Sequence, residues 1–215
     1  MNGAQIQALI YQGMGVGAQS IGMPCAVFRP QNETAPLTNQ VAQFPASFNA
    51  ANPGYTKPQG YGKAVWYADM DGRQTRPGDY LVRLSDGHTW FISAQQQLLP
   101  IQVVECNRKI RIVRTQPVQG VGGLGYSGIV DPTPVLGTQD TPWPCSILQG
   151  GRPLPSVGLP SDVKDAGWKI LLPYVLGFKI CSADLIEDDI GRGFVVTSAE
   201  FTDLGWRLDA NETHV

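Results

Sequence analysis

The order of apolar and polar residues predicts one short helix at the start of the chain. Between residues 3 and 20, apolar residues recur mostly at intervals of three and four, the spacing of an amphipathic helix. These residues are Ile6, Leu9, Ile10, Met14 and Val16. We expect the helix to end before Gly22.

From Pro24 onward the pattern changes to short runs of Val, Ile, Leu and aromatic residues separated by turn residues. Such runs predict β-strands, and Ser85-Asp86-Gly87 predicts a hairpin turn between two of them. In the first half, the predicted strands are residues 25–28, 64–68, 80–84, 88–94, 100–105 and 109–115. In the second half, they are residues 145–148, 168–172, 185–187, 193–198 and 205–208.

Two stretches rich in Pro or Gly interrupt this pattern. Residues 30–62 contain five prolines and predict an extended loop, and the Gly-rich residues 116–142 predict a linker or arm. The predicted organisation is an N-terminal helix (1–22), a first β lobe (23–115) with a long insertion (30–62), an arm (116–142) and a second β lobe (143–215).

The two predicted lobes contain similar hairpins. Ser93 follows Asp79 by fourteen positions, and Ser198 follows Asp184 by the same interval. Each interval holds a strand, an acidic turn with glycine, and a second strand.

Two further motifs keep the same order in both halves. Trp66 precedes the first hairpin and Trp168 precedes the second, while Met23-Pro24-Cys25 resembles Trp143-Pro144-Cys145. This shared order predicts an internal duplication. The expected fold class is therefore mainly β: two small antiparallel β-barrel or sandwich lobes, a short N-terminal helix and long Gly/Pro-rich loops.

Composition and charge exclude several function classes. The 25 glycines and 17 prolines among 215 residues exclude long helical architectures. A net charge of -2 provides no basic surface for binding nucleic acid or an anionic membrane. The first 22 residues carry no basic side chain and only a short apolar run, so we expect neither secretion nor membrane association.

The sequence offers few candidates for chemistry. Cys25, Cys106, Cys145 and Cys181 lie far apart, which favours small buried apolar residues over disulfides or metal ligands. His88 lies in the Asp86-Gly87-His88 turn, and no Gly-x-Ser-x-Gly nucleophile motif accompanies it.

Two acidic or glycine-rich motifs also lack the context that their chemistry requires. Glu187-Asp188-Asp189 lacks the spacing of a calcium loop and predicts a charged turn. Residues 120–125 fit Gly-x-Gly-x-x-Gly, but no predicted helix follows to hold a pyrophosphate. A carboxylate pair such as Asp162 and Asp184 could still meet in space. We expect no catalytic residue, cofactor or metal, and thus a protein that is not an enzyme.

Partner contacts are the more promising candidates. Trp143 lies between two prolines in a predicted loop, so we expect an exposed anchor there. The other tryptophans lie in strand-like runs and are expected to be buried. The two loop regions supply further apolar or aromatic candidates: Tyr55, Tyr61, Leu124 and Tyr126.

The hairpins starting at Pro77-Gly78-Asp79-Tyr80-Leu81-Val82 and Ala183-Asp184-Leu185-Ile186 resemble those of small β-barrel proteins in the necks and tails of tailed bacteriophages. Head-closure, or stopper, proteins are the most similar family. The resemblance implies a non-catalytic virion protein, assembled in the bacterial cytoplasm, that forms a homo-oligomeric ring with portal, neck or tail proteins. It also implies passive contact between long loops and DNA in the channel. The family usually has one barrel where this sequence predicts two, so the ring size and the position in the neck stay open.

Other functions fit the same residues. A tail, fibre-attachment or capsid-decoration role needs the same β lobes and arms. The tryptophans and unassigned carboxylates also fit a carbohydrate-binding β module or a glycan-acting tail protein used for host attachment. An enzyme of unknown type, with His88 as its candidate base, is the third class.

Overall fold

The computed structural model describes residues 2–49, 63–115, 132–151, 167–175 and 177–213. The fold is mainly β with one N-terminal helix, α1, at Gly3–Ile21. Asn2 and Gln5 begin this helix with a capping box, in which each side chain accepts a hydrogen bond from the other's backbone N–H. The Gly22 N–H donates to the Ala18 carbonyl at the other end, which confirms the predicted helix.

The first lobe is a closed six-stranded antiparallel barrel with the order β1-β2-β3-β6-β5-β4. Its strands are β1 (Met23–Phe28), β2 (Gln40–Asn49), β3 (Val65–Asp69), β4 (Tyr80–Arg83), β5 (Thr89–Ala94) and β6 (Ile101–Cys106). A 3-10 turn at Gly72–Gln74 lies between β3 and β4.

The second lobe is a seven-stranded antiparallel sheet with the order β11-β12-β13-β10-β9-β7-β8, which also closes because β11 pairs with β7. Its strands are β7 (Arg108–Arg114), β8 (Thr133–Leu136), β9 (Trp143–Gly151), β10 (Gly167–Leu172), β11 (Leu185–Asp188), β12 (Gly193–Thr202) and β13 (Gly205–Thr213). We call the two lobes the first and the second barrel.

The two barrels have the same strand order once β8 and β9 together are matched to β2. One end of β7 pairs with β9 and the other end with β8. Together β8 and β9 therefore take the place beside β7 that β2 takes beside β1 in the first barrel. Residues 137–142 therefore interrupt in the second barrel what is one continuous strand in the first. The expected pair of similar antiparallel lobes is confirmed at the level of topology.

The strand pairing corrects two of the sequence matches. Pro144 lies opposite Lys109 on β7, as Pro45 lies opposite Pro24 on β1, so Phe44-Pro45-Ala46 is the counterpart of Trp143-Pro144-Cys145. Met23-Pro24-Cys25 instead lies on the strand paired with that counterpart.

The counterpart of Ser93 is Thr197 and not Ser198. Both residues occupy a β-bulge, and each hydroxyl donates to a carbonyl across the strand pair, that of Gln102 for Ser93 and that of Asp209 for Thr197. The equal fourteen-residue spacing suggested Ser198 instead, because the turn of the second hairpin is one residue shorter than that of the first.

Three predicted boundaries are wrong. The ten-residue strand β2 lies inside residues 30–62, which were expected to be an extended loop. Pairing with neighbouring strands overrides the local signal of Pro45 there. The first lobe was expected to reach residue 115, yet β7 pairs only within the second barrel, so the barrels meet at Asn107. The predicted arm at residues 116–142 also contains β8.

Successive side chains of a strand point to opposite faces, so every second side chain packs inside its barrel and the others face outward. Trp90 and Ile92 of β5 belong to the core of the first barrel, whereas Phe91 between them packs on the second barrel. Phe194 and Val196 are the corresponding core residues of β12.

Candidate functional site

A pair between Arg29 and the buried Asp79 fixes the turn before β4 in the first barrel. The Arg29 guanidinium donates through Nε and Nη2 to the two Asp79 carboxylate oxygens, each at 2.8 Å. Asp79 is 1% exposed and also accepts the Arg76 backbone N–H at 3.0 Å. Arg29 Nη2 donates further to the Gln74 carbonyl. Hydrogen bonding to Asp79 raises the pKa of Arg29.

The second barrel repeats this pair in the same position. Arg114 donates to the Asp184 carboxylate at 2.7 and 2.8 Å and to the Lys179 carbonyl at 2.9 Å. Asp184 is 1% exposed and accepts the Cys181 backbone N–H at 2.8 Å. Hydrogen bonding to Asp184 raises the pKa of Arg114. Both aspartates therefore serve the fold, and Asp184 is held by arginine and not by a second carboxylate.

The residue before each aspartate has a left-handed backbone conformation. Gly78 has a φ of +93° and Ala183 a φ of +70°. A Cβ on Gly78 would lie 2.2 Å from the Tyr174 carbonyl oxygen of the second barrel. Glycine is thus required at position 78 by the approach of the second barrel as well as by the backbone conformation.

The outward side chains of β4, β5 and β6 form the contact between the barrels. Tyr80, Phe91 and Val104 are 0%, 1% and 4% exposed and belong to the core cluster of the second barrel. We call these three residues the β4–β6 face. The Tyr80 hydroxyl donates to the Pro144 carbonyl at 2.7 Å, and its ring meets the Trp143 ring edge-to-face at 6.0 Å. Burial raises the pKa of Tyr80.

Trp143 is a buried part of this contact, so the expectation of an exposed loop anchor is wrong. It is the first residue of β9, is 0% exposed, and donates from Nε1 to the Glu33 carbonyl at 2.6 Å. Gly137 and Thr141 in the β8–β9 insertion also donate to carbonyls of the β1–β2 loop, at Glu33 and Thr34. No sequence signal placed Trp143 correctly, because the strand that holds its counterpart Phe44 was itself expected to be a loop.

Asn107 closes the contact at the junction of the two barrels. Its side chain donates to the Ile147 carbonyl at 2.9 Å and accepts the Ile147 N–H at 2.8 Å. Its own backbone N–H donates to the Cys145 carbonyl at 3.0 Å. One asparagine thereby ties the β6–β7 junction to β9, a role that the sequence did not indicate.

His88 forms a charged and aromatic cluster at the start of β5. Its Nε2 lies 2.7 Å from Glu105 Oε1, and its ring centroid lies 4.4 Å from that of Trp90. Arg83 pairs with Asp86 in the same turn, and this hydrogen bonding lowers the pKa of Asp86 to about 2.

The second barrel has Arg192 at the position of His88. Arg83 and Asp188 each close their turn by donating a backbone N–H, to the carbonyl of His88 and of Arg192 respectively. The Arg192 guanidinium lies over the Trp168 ring. A basic side chain against an aromatic ring is therefore common to both hairpins, which favours a structural role for His88.

The acidic turn of the second barrel is also occupied by internal contacts. Asp188 accepts the backbone N–H groups of Ile190 and Arg192 and pairs with the Arg192 side chain, while Glu187 pairs with Arg111. A groove of about 350 Å³ adjoins this turn, with Lys109 and Asp189 among its lining residues. Across the described parts of the chain, no three metal-binding side chains come together.

All four cysteines are free thiols. Cys25 and Cys145 are buried as expected, whereas Cys106 and Cys181 are partly exposed. Burial raises the pKa of Cys25 from its ordinary value near 9 to about 11, and it raises the pKa values of Cys106 and Cys145 as well.

The remaining predicted candidates lie outside the described residues. These are Tyr55, Tyr61, Leu124, Tyr126, Asp162 and the glycine motif at 120–125. Trp90 and Trp206 are buried as expected, whereas Trp66 and Trp168 are only partly buried.

Comparison with known proteins yields no relative. No family model, no curated protein and no solved structure matches the chain. Within the ranges that the structure covers, no helix has both the length and the apolar character needed to cross a lipid bilayer.

Proposed function

We propose that this protein is a non-catalytic structural component of a tailed-phage virion. Its position is the head-to-tail connector, the neck or the tail, where it assembles into a ring with portal or tail proteins. The hairpins that resemble head-closure proteins support this assignment. The observation that carries it is the presence of two barrels with one strand order, joined by a buried face of one barrel against the other.

The use of charged residues supports a structural role. Asp79, Asp184 and Asp188 have side chains that are 1%, 2% and 0% exposed, and each is bound by an arginine. A buried carboxylate whose oxygens are taken up by arginine and backbone N–H groups fixes a turn, whereas a general acid or base must lie within hydrogen-bonding reach of a substrate. These residues thus stabilise the scaffold.

The carbohydrate-binding alternative has less support. It relied on the tryptophans and unassigned carboxylates, and Trp143, the one tryptophan that was expected to be exposed, is buried between the barrels. Stacking on a sugar ring requires an accessible aromatic face.

Mass spectrometry and immunogold electron microscopy of virions from the phage or prophage encoding this chain test the proposal. We expect the chain in purified virions, with gold label at the junction of head and tail or along the tail. Recovery of the chain only from the lysate, with virions free of it, would contradict the proposal. Label confined to the capsid surface would contradict the neck or tail position.

A further inference from the structure

The outer side of α1 is apolar and uncharged. Ile6, Leu9 and Val16 are 41%, 53% and 60% exposed, and with Gly13 they recur at intervals of three and four along one side of the helix. We call these four residues the α1 seam. None of the 19 residues of α1 is charged, although a solvated helix face usually carries charges. This composition favours a face that is buried in an assembly.

The shape of this side also leaves room for a partner. A Cβ added at Gly13 would meet no atom within 4 Å, so another backbone can approach closely there. A groove of about 560 Å³ runs beside Leu9 and is lined by Gln5, Ala8, Gln12 and Arg73. Glutamine and arginine side chains at the border of an apolar strip are typical of a protein interface.

The inner side of α1 covers one end of the first barrel. Tyr11 and Ala18 are buried there, and a Cβ on Gly72 would lie 3.1 Å from the Tyr11 ring. The same end includes Phe44 of β2 and Arg73 of the 3-10 turn, which line a smaller groove with Val16.

The equivalent end of the second barrel is covered by the first barrel. Trp143 is the counterpart of Phe44, and Phe178 is the counterpart of Arg73 because the arginine of each pair donates to the carbonyl of the next residue. The Trp143 and Phe178 rings meet edge-to-face at 5.8 Å. The β4–β6 face packs on this end through Tyr80. One barrel end thus receives a neighbouring barrel, and the matching end receives α1.

The second barrel has its own copy of the face that the first barrel uses. Leu185, Val195 and Asn211 are the counterparts of Tyr80, Phe91 and Val104, and all three are only partly buried. We call them the β11–β13 face. Like the α1 seam, it contains no charged residue.

We propose that a second copy of this chain docks its α1 seam on the β11–β13 face, so that the barrel order within one chain continues from copy to copy. This inference rests on the proposed function and specifies its ring contact. The contact joins two different surfaces, and such a heterologous contact closes into a ring when the rotation between copies permits. Two uncharged surfaces can be buried together without leaving an unpaired charge.

Single charge substitutions with a matched control test the two surfaces. The seam variant is Leu9→Glu, the face variant is Val195→Glu, and the control is Leu98→Glu, whose parent side chain is 59% exposed on the β5–β6 loop. Sedimentation velocity of the full chain should give a closed oligomer for the wild type and for the control. The seam and face variants should associate at least about tenfold more weakly, because each would bury an unpaired carboxylate.

Mixing the two variants identifies the geometry. Each variant keeps one intact surface, so an equimolar mixture of Leu9→Glu and Val195→Glu should form heterodimers and nothing larger. A mixture that stays monomeric beside an oligomeric wild type would overturn the inference. A Val195→Glu variant that by itself associates as strongly as the wild type, while Leu9→Glu does not, would overturn it in favour of a symmetric α1–α1 contact. Asn211→Lys serves as a second face variant if Val195→Glu lowers the melting temperature.

The outcomes separate this inference from the proposed function. A wild-type oligomer that Leu9→Glu leaves intact would overturn the docking of α1 while leaving the virion role in place. A wild-type chain that is monomeric at every concentration tested would overturn the docking between copies, and virion composition would decide the role independently.

Discussion

The two barrels share their strand order and their buried turns but differ in the residues on equivalent outer faces. In the first barrel, the β4–β6 face presents an aromatic pair and a hydroxyl, and it is buried against the second barrel. In the second, the β11–β13 face presents Leu185, Val195 and Asn211 and is only partly buried. Shared residues therefore indicate what the barrel needs in order to fold, and differing residues indicate what each barrel contacts.

The residues before the two aspartates show the same division. Gly78 and Ala183 have the same left-handed conformation, but only Gly78 lies against the other barrel. The turn accepts a Cβ in the second barrel, where Ala183 is exposed. The contact between the barrels, and not the turn alone, explains glycine at position 78.

The largest expected difference between the barrels comes from their outer faces. Phe91→Ala should lower the free energy of unfolding by about 3–5 kcal/mol, because it leaves a cavity between the barrels. The matched change Val195→Ala should cost about 1 kcal/mol or less, since Val195 is already partly exposed. Urea unfolding followed by circular dichroism measures both, and equal losses would contradict the assignment of the faces.

The arginine–aspartate pairs should behave alike in the two barrels. Asp79→Asn and Asp184→Asn should each cost about 3–5 kcal/mol, because each leaves a partly buried guanidinium without its charge partner. Asp86→Asn breaks the exposed pair with Arg83 and should change stability little. A large loss for one aspartate and none for the other, in the same urea assay, would break the equivalence of the two turns.

Exchanging glycine and alanine at the positions before the two aspartates should have unequal effects on stability. Gly78→Ala should cost at least about 2 kcal/mol, because the left-handed backbone disfavours a Cβ and the Tyr174 carbonyl must move. Ala183→Gly should change stability by less than about 1 kcal/mol, since relieved strain offsets the greater freedom of the unfolded chain. Thermal unfolding compares the two, and a neutral Gly78→Ala would show that the barrels do not approach there.

The smallest expected effect is on the free energy of unfolding at alkaline pH, and it comes from a core position that differs between the two barrels. Cys25 of β1 corresponds to Ile110 of β7, and its pKa is raised to about 11 by burial. The unfolded thiol ionises near pH 9 while the folded thiol stays neutral, so its contribution to stability is present below pH 9 and is lost as the pH rises toward 11.

The Cys25→Ala variant should therefore lose stability less steeply between pH 9 and 11 than the wild type. Some dependence should remain, because the pKa values of Cys106 and Cys145 are raised as well. Urea unfolding at a series of pH values gives the slope, and identical slopes for variant and wild type would contradict a buried neutral thiol at position 25.

The sequence predicted the fold class because the spacing of apolar residues within single elements agreed with the repeat of motifs between the two halves. The spacing in α1 and the apolar runs of most strands placed the elements, and the repeated Asp hairpin and Trp strand indicated two similar lobes. β2 escaped prediction because Pro45 and the surrounding polar residues resemble a loop until neighbouring strands supply the hydrogen bonds.

Residue spacing could not locate the contacts between the barrels. The β8–β9 insertion and the shorter connection between β1 and β2 than between β7 and β8 change the distances between matched residues, which led the Pro-Cys motif to the wrong counterpart. Trp143 was expected to be exposed because its cover, the β1–β2 loop and Tyr80, lies far away in sequence. Arg29 and Arg114 were missed for the same reason, since each meets its aspartate 50 or 70 residues later.

Contacts between barrels should continue from one copy of the chain to the next, and cryo-electron microscopy of the purified protein at high concentration can show whether they do. We expect closed rings in which the second barrel of each copy contacts α1 of its neighbour. Two-lobed monomers alone, or rings joined through other surfaces, would contradict it.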